Sequence, residues 1–105
     1  MEYNRTTYKE LSMKIIYEPR FVNSFNNIWD YIAQDSKNRA NNFKKEIKRL
    51  IEDIDRMPYK CRKSIYFDDY TIRDLIYKGY TIVYKVHEDK SLIIVLGIKK
   101  YQSQL

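Results

Sequence analysis

The sequence predicts an α+β fold: an N-terminal strand, then a two-helix antiparallel hairpin packed on a three- to four-stranded, mainly antiparallel twisted sheet. Three observations predict it. Apolar residues recur at helical spacing from Phe21 to Ile54, the period changes to two after Pro58, and a nearly unbroken apolar run, Leu92–Ile98, closes the pattern. A sheet covered by a helical hairpin on one face buries both kinds of apolar surface.

The first dozen residues are polar and lack periodicity, so residues 1–12 are expected to be an extension and 13–105 a single domain. Met13 opens a strand-like run, Ile15, Ile16 and Tyr17. Pro19 closes it and suits the first turn of a helix, where its missing N–H costs nothing. Phe21, Phe25, Ile28, Trp29 and Ile32 follow on one helical face. Asp35 and Ser36 break the pattern, and Ser36 is placed to cap the next helix. That helix is expected from about Lys37 to Met57, with Ala40, Phe43, Ile47, Leu50, Ile51 and Ile54 on one face and Pro58 ending it. The short break between the two helices implies an antiparallel hairpin.

Beyond Pro58, Ser64–Phe67 is a candidate short strand, Asp68 and Asp69 a turn, and Thr71–Tyr77 a second strand. Lys78–Gly79 predicts a tight hairpin turn, with glycine supplying a positive φ. From Tyr80 to His87 the residues alternate, with Tyr80, Ile82, Tyr84 and Val86 facing one way and Thr81, Val83, Lys85 and His87 the other. Glu88–Lys90 is another turn. Leu92–Ile98 is expected to be a central strand buried on both faces, followed by a polar tail.

A chain of 105 residues, 44% hydrophobic, suits one domain with a modest core and argues against disorder. The lone Cys61 allows no internal disulfide and fits a reducing compartment, while a single histidine, His87, argues against zinc; no cofactor or metal is expected. Leu92–Ile98 falls far short of the roughly 20 apolar residues that cross a bilayer, and Met1–Arg5 resembles no signal peptide. The expected location is the cytoplasm, away from membranes. The net charge of +6 lies on one stretch: residues 36–63 carry ten basic groups against four acidic ones. Such a stretch fits a polyanionic partner, or simply a solvated lysine-rich helix face. Glu52, Asp53 and Asp55 near the end of the second helix run against the macrodipole, and the sequence offers no account of them.

Arg73 and Leu75, then Gly79, Tyr80, Ile82 and Tyr84, then Leu92–Leu96, form an Arg-x-Leu strand, a turn, a Gly-Tyr-x-Ile-x-Tyr strand and an apolar last strand. This pattern resembles the C-terminal half of RelE/ParE toxins, the poison halves of toxin–antitoxin pairs. Upstream, Ile28, Trp29, Tyr31, Ile32, Ala40, Phe43 and Met57-Pro58 are similar to the family's two-helix segment, so the likeness spans about residues 13–101. The resemblance implies a growth-arresting protein masked by a cognate antitoxin, with a dimer or a heterotetramer left open. One branch of the family cleaves messenger RNA on the ribosome; the other poisons DNA gyrase.

RNA cleavage through the 2′-hydroxyl requires a base, cations for the phosphate and an acid for the leaving oxygen. The ribonuclease branch commonly carries an Arg after the hairpin's Gly-Tyr, where this chain has Thr81. Arg73, His87, Lys99 and Tyr101 are the nuclease candidates. Three of them have a plainer reading: Arg73 in an ion pair with Asp74 or another carboxylate, His87 solvated at a strand end, Tyr101 covering a sheet edge. Lys60, Arg62, Lys63, Arg73, Lys85, Lys99 and Lys100 are candidates for target binding. Tyr80 and Tyr84 are expected in the core, and Asp68 and Asp69 in a turn rather than on a metal. The candidates suit binding better than bond-breaking, which favours the gyrase-poisoning branch over the ribosome and its messenger RNA. A plain nucleic-acid-binding module remains a third reading, with steep salt dependence as its signature.

Overall fold

The computed structural model describes residues 13–100, so the expected extension at 1–12 and the candidate Tyr101 lie outside the described residues. The chain runs β1 (Lys14–Tyr17), α1 (Pro19–Asp35), α2 (Lys37–Glu52), β2 (Arg62–Lys63), β3 (Ile72–Tyr77), β4 (Tyr80–His87) and β5 (Leu92–Lys100). The five strands form one mixed sheet in the order β1-β5-β4-β3-β2, with β1 parallel to β5 and the remaining neighbours antiparallel. The α+β expectation holds, with the first strand and the two-residue β2 extending the sheet to five. Among the described residues, no helix is long and apolar enough to cross a membrane.

Local signals set the helices. Pro19 opens α1, and the Ser36 Oγ accepts from the Arg39 N–H at 3.1 Å, capping α2 as its sequence position foretells. Phe43, Ile47 and Ile51 project from α2, and Phe21 from α1, onto Ile82, Tyr84, Val86, Ile93, Val95 and Ile98 of the sheet. The α-helix stops at Glu52 and not at Met57; Asp53–Arg56 tightens into a 3₁₀ turn. Two of the three acids without an account, Glu52 and Asp53, find one here. Lys48 pairs with Glu52 at 4.0 Å and Arg56 with Asp53 at 3.7 Å, so cations one turn away offset the unfavourable dipole end.

The β3–β4 hairpin turns through Lys78 (φ 46°) and Gly79 (φ 83°), the paired positive angles of a type I′ turn. On β5, Val95 pairs with Tyr84 and Gly97 with Val83, leaving Leu96 as the extra residue of a bulge. The bulge lets Val95 and Ile98, three positions apart, both join the core under the helices. Leu92, Ile94 and Leu96 are only half-buried, so β5 is sealed on the helix face alone, contrary to the two-sided burial its composition suggests.

Ser64–Phe67 is not a strand: pairing stops at Lys63. The Ser64 Oγ takes the Tyr66 N–H at 3.1 Å, and the buried Asp74 carboxylate takes the Ile65 N–H at 3.1 Å. Side-chain acceptors have replaced the ladder partners that a strand would need.

Candidate functional site

Residues opposite one another in adjacent strands share a face of the sheet. One row reads Arg62, Asp74, Val83, and another reads Ile76, Thr81, Lys99; these, with Lys85 and His87 further along β4, face away from the helices. A third row reads Lys63, Arg73, Tyr84, Val95, and a fourth Tyr77, Tyr80, Lys100, both on the helix face. The candidate cations are therefore divided between the two faces.

On the open face most cations are already engaged. Arg62 Nη2 donates to Asp74 Oδ2 at 3.2 Å, and Lys85 Nζ lies 3.6 Å from Asp69 Oδ2. Lys99 Nζ sits 4.8 Å from the centre of the Tyr66 ring. At the sheet edge Lys63 Nζ donates to Asp68 Oδ1 at 3.4 Å. Asp69 also accepts from the Thr71 N–H at 2.9 Å and its hydroxyl at 2.7 Å, and these bonds, with Lys85 nearby, hold its carboxyl below the usual range. Asp68 and Asp69 thus occupy a turn, as expected. Lys60 is exposed beyond α2, and Lys100 is exposed beside Tyr31 and Tyr80.

Arg73 departs from the ion pair with Asp74 that the sequence suggests, because the two side chains point to opposite faces. Only 7% exposed, its guanidinium packs against both Tyr59 (4.7 Å to the ring centre) and Tyr70 (4.3 Å), whose rings also stack on each other at 5.3 Å. Its Nε donates to the Tyr70 carbonyl at 3.0 Å and its Nη1 to the Cys61 carbonyl at 3.1 Å. It clamps two loops and is closed to a large target. Tyr84 is in the core, as expected; its hydroxyl donates to the Pro58 carbonyl at 2.5 Å, and burial foremost pushes its phenol far above the ordinary range.

The nuclease candidates do not converge. Arg73 is on the helix face, while His87 and Lys99 share the open face at opposite ends of β4: Lys99 pairs with Thr81, six residues from His87, or about 20 Å along the strand. Thr81 itself is only 4% exposed. A cleft of about 550 Å³ beside His87 is lined by Lys85 against Asp69, Glu88 and Asp89, so its carboxylates outnumber its lysine and it does not suit a phosphate.

Two surfaces escape a reading of charges alone. The first is an apolar groove of about 300 Å³ between α1, α2 and β1, lined by Tyr17, Phe21, Val22, Phe25, Ile47 and Ile51, with Lys44 and Lys48 along it. Val22, off the main α1 stripe, is the sequence signal for it. The second is the loop after β2, where Ile65, Tyr66, Phe67 and Tyr70 are exposed. The run Ile65-Tyr66-Phe67 could have signalled it, but reads equally well as a strand. On α2, Arg39 pairs with Asp35, and Arg49 Nη2 donates to Glu46 at 3.0 Å, so part of the basic stretch is a solvated, locally paired helix face.

Comparison with known proteins agrees with this architecture. Residues 15–104 match the family model described as the ParE toxin of the type II toxin–antitoxin system, parDE. No curated protein matches the chain significantly. Among solved structures, a chain of the chromosomal ParDE system from P. aeruginosa superposes with a TM-score of 0.71 at 14% identity, covering 88% of this chain and 99% of that one. The isolated E. coli RelE toxin gives 0.54 at 15% identity, covering 88% and 87%. A chain of the intact E. coli RelBE complex gives 0.52 at 15%, covering 87% and 99%. At these identities the superpositions speak for the fold.

Proposed function

Because the chain belongs to the ParE toxin family of type II toxin–antitoxin systems, we propose that it arrests growth by binding and poisoning DNA gyrase, with no bond-breaking chemistry of its own. The observation that carries this reading is Thr81. At the hairpin position where the ribonuclease branch places an arginine, this chain has a neutral side chain sealed from solvent. Of the cations on that face, Arg62 and Lys85 each face a carboxylate, and Lys99, opposite Thr81, rests against the Tyr66 ring. General acid–base catalysis needs its groups within hydrogen-bond reach of one reacting phosphate, and the separation of His87 from Lys99 does not supply that. Lys60, Lys99 and Lys100 are better suited to contacting a large partner.

The neutralising partner is a cognate antitoxin, and its seat is the apolar groove along α1 and α2. Lys44 and Lys48 beside that groove favour a segment that is acidic as well as apolar. An antitoxin tail that folds as it docks would bury Val22 and Tyr17, both exposed in the toxin alone. The toxin domain is assigned to residues 13–105, residues 1–12 to an extension, and the site of action to the cytoplasm.

A supercoiling assay with purified gyrase tests the main reading: the toxin should inhibit supercoiling and trap cleaved DNA. Untouched supercoiling, combined with new transcript ends after induction in cells, would replace it with ribosome-dependent cleavage of messenger RNA.

A further inference from the structure

We propose that the loop between β2 and β3, residues 65–71, is the surface by which this toxin docks on its protein target; the proposal rests on the toxin reading above and adds the site of engagement. The loop is closed at its base, where the Ser64 N–H donates to the Ile72 carbonyl at 2.8 Å. Within it, four large apolar side chains face solvent: Ile65 is 67% and Tyr70 65% exposed, with Tyr66 and Phe67 between them in sequence and also exposed. Isolated exposed apolar residues need no explanation, but a cluster in one short loop marks an interaction surface.

The loop is built to hold these side chains in place. Asp74, 1% exposed, reaches out of the sheet to accept from the Ile65 N–H, and Ser64 fixes Tyr66. Asp69 closes a turn on Thr71, while Arg73 holds the Tyr70 carbonyl and lies under its ring. A buried carboxylate and a buried guanidinium thus support a loop that has no ladder of its own. Such bracing lowers the ordering cost of binding.

Charge selects the class of partner. The pairs Lys63–Asp68, Lys85–Asp69 and Arg62–Asp74 balance one another around the loop, and Lys99 and Arg20, which line a groove with Tyr66 and Phe67, add two cations. A polyanion-binding face carries a dense row of cations along a backbone, whereas aromatic and aliphatic anchors inside a mostly paired polar rim, with two cations at one side for an acidic patch, are the make-up of a protein–protein hot spot. Aliphatic Ile65, the most exposed of the four, also has no π-face to offer a base.

The test compares the full-length chain, Ile65→Ser/Phe67→Ser, and Ile76→Ser, an exposed apolar residue of β3 outside the loop. Growth arrest on induction and inhibition of purified gyrase are both measured, with circular dichroism confirming the fold. The loop variant should lose about tenfold or more in potency in both assays, as expected for removal of hot-spot anchors, while Ile76→Ser stays near wild type. Full potency in the folded loop variant overturns the proposal. If the double variant does not fold, Ile65→Ser alone decides in the same way. Growth arrest without gyrase inhibition by the wild-type chain removes gyrase only; the growth assay of the loop variant then decides the docking surface. A chain that does neither removes both. Binding of a labelled single-stranded RNA, measured in parallel, should be equal in all three proteins, and a loss confined to the loop variant would overturn the choice of a protein partner.

Discussion

Asp74 and Arg62 face each other across the β2–β3 pair, with Arg62 Nη2 3.2 Å from Asp74 Oδ2, and the same oxygen accepts the Ile65 N–H. One buried carboxylate therefore fastens a two-residue edge strand and the loop that follows it. Asp74→Ala should lower stability by about 1–3 kcal/mol, the range for leaving a buried donor unpaired. Arg62 is half exposed and water will hydrate it, so the charge pair adds less than a buried one would. Urea unfolding measures the loss, and hydrogen exchange should find the Ile65 amide newly unprotected.

At the hairpin turn, Gly79 at φ 83° has open space around its Cβ position. Gly79→Ala is therefore opposed by the backbone alone and should cost about 1–2 kcal/mol, the penalty for a left-handed L-residue. A smaller change in the midpoint of urea unfolding would show that the turn relaxes.

Tyr84 couples stability to alkaline pH. Burial, and then its contacts with Cys61, raise its phenol pKa in the folded chain, so the folded state resists deprotonation. The stabilising contribution is complete below the unfolded value near 10 and is lost as pH rises toward the folded value. Tyr84→Phe should remove part of the decline in stability above about pH 10. At neutral pH it should cost about 1 kcal/mol, because the Pro58 carbonyl loses its donor. Unfolding curves at pH 7 and pH 10.5 separate the two effects.

The helices, the hairpin turn and the sheet face of Tyr84 were legible in the sequence because each depends on neighbours in the chain. Ser36 needs only the Arg39 amide, and the Lys78–Gly79 turn is set within its own two residues, both left-handed, where glycine supplies one of the positive angles freely. Ile65-Tyr66-Phe67 has strand-forming side chains throughout, and its true course is set by Asp74, nine residues from Ile65. The surroundings of Arg73 are hidden in the sequence for a related reason. Adjacent residues of a strand point to opposite faces, so its neighbour Asp74 cannot be its partner, and its packing against Tyr59 and Tyr70 is not visible without the fold. The target-binding candidates could be named as cations but not sorted by face, since sorting requires the registers of β2, β3 and β5.

If the toxin works by binding through many contacts, no single basic residue on the open face should be indispensable, Lys99 among them. His87→Ala and Lys99→Ala should each retain growth arrest within a few-fold of wild type, whereas loss of a general acid or base lowers a catalytic rate by about 10²–10⁴. Dose–response curves under a titratable promoter distinguish these outcomes. Abolition of arrest by either substitution, with the fold intact, would return the ribonuclease reading to first place.

The apolar groove makes the last prediction. Val22 lines it and is exposed at 41%, so Val22→Glu leaves the core untouched and places a carboxylate within an apolar wall. Docking an apolar antitoxin segment there would then bury that charge; Lys44 and Lys48 line the same groove and would offset part of the cost. Growth arrest by the variant should persist, because the loop at 65–71 lies in another part of the fold, while rescue by co-expressed antitoxin should weaken by about tenfold or more. The two readouts must separate. A variant that is rescued as readily as wild type would remove the antitoxin from this groove, and one that loses toxicity and rescue together would place target and antitoxin on the same surface.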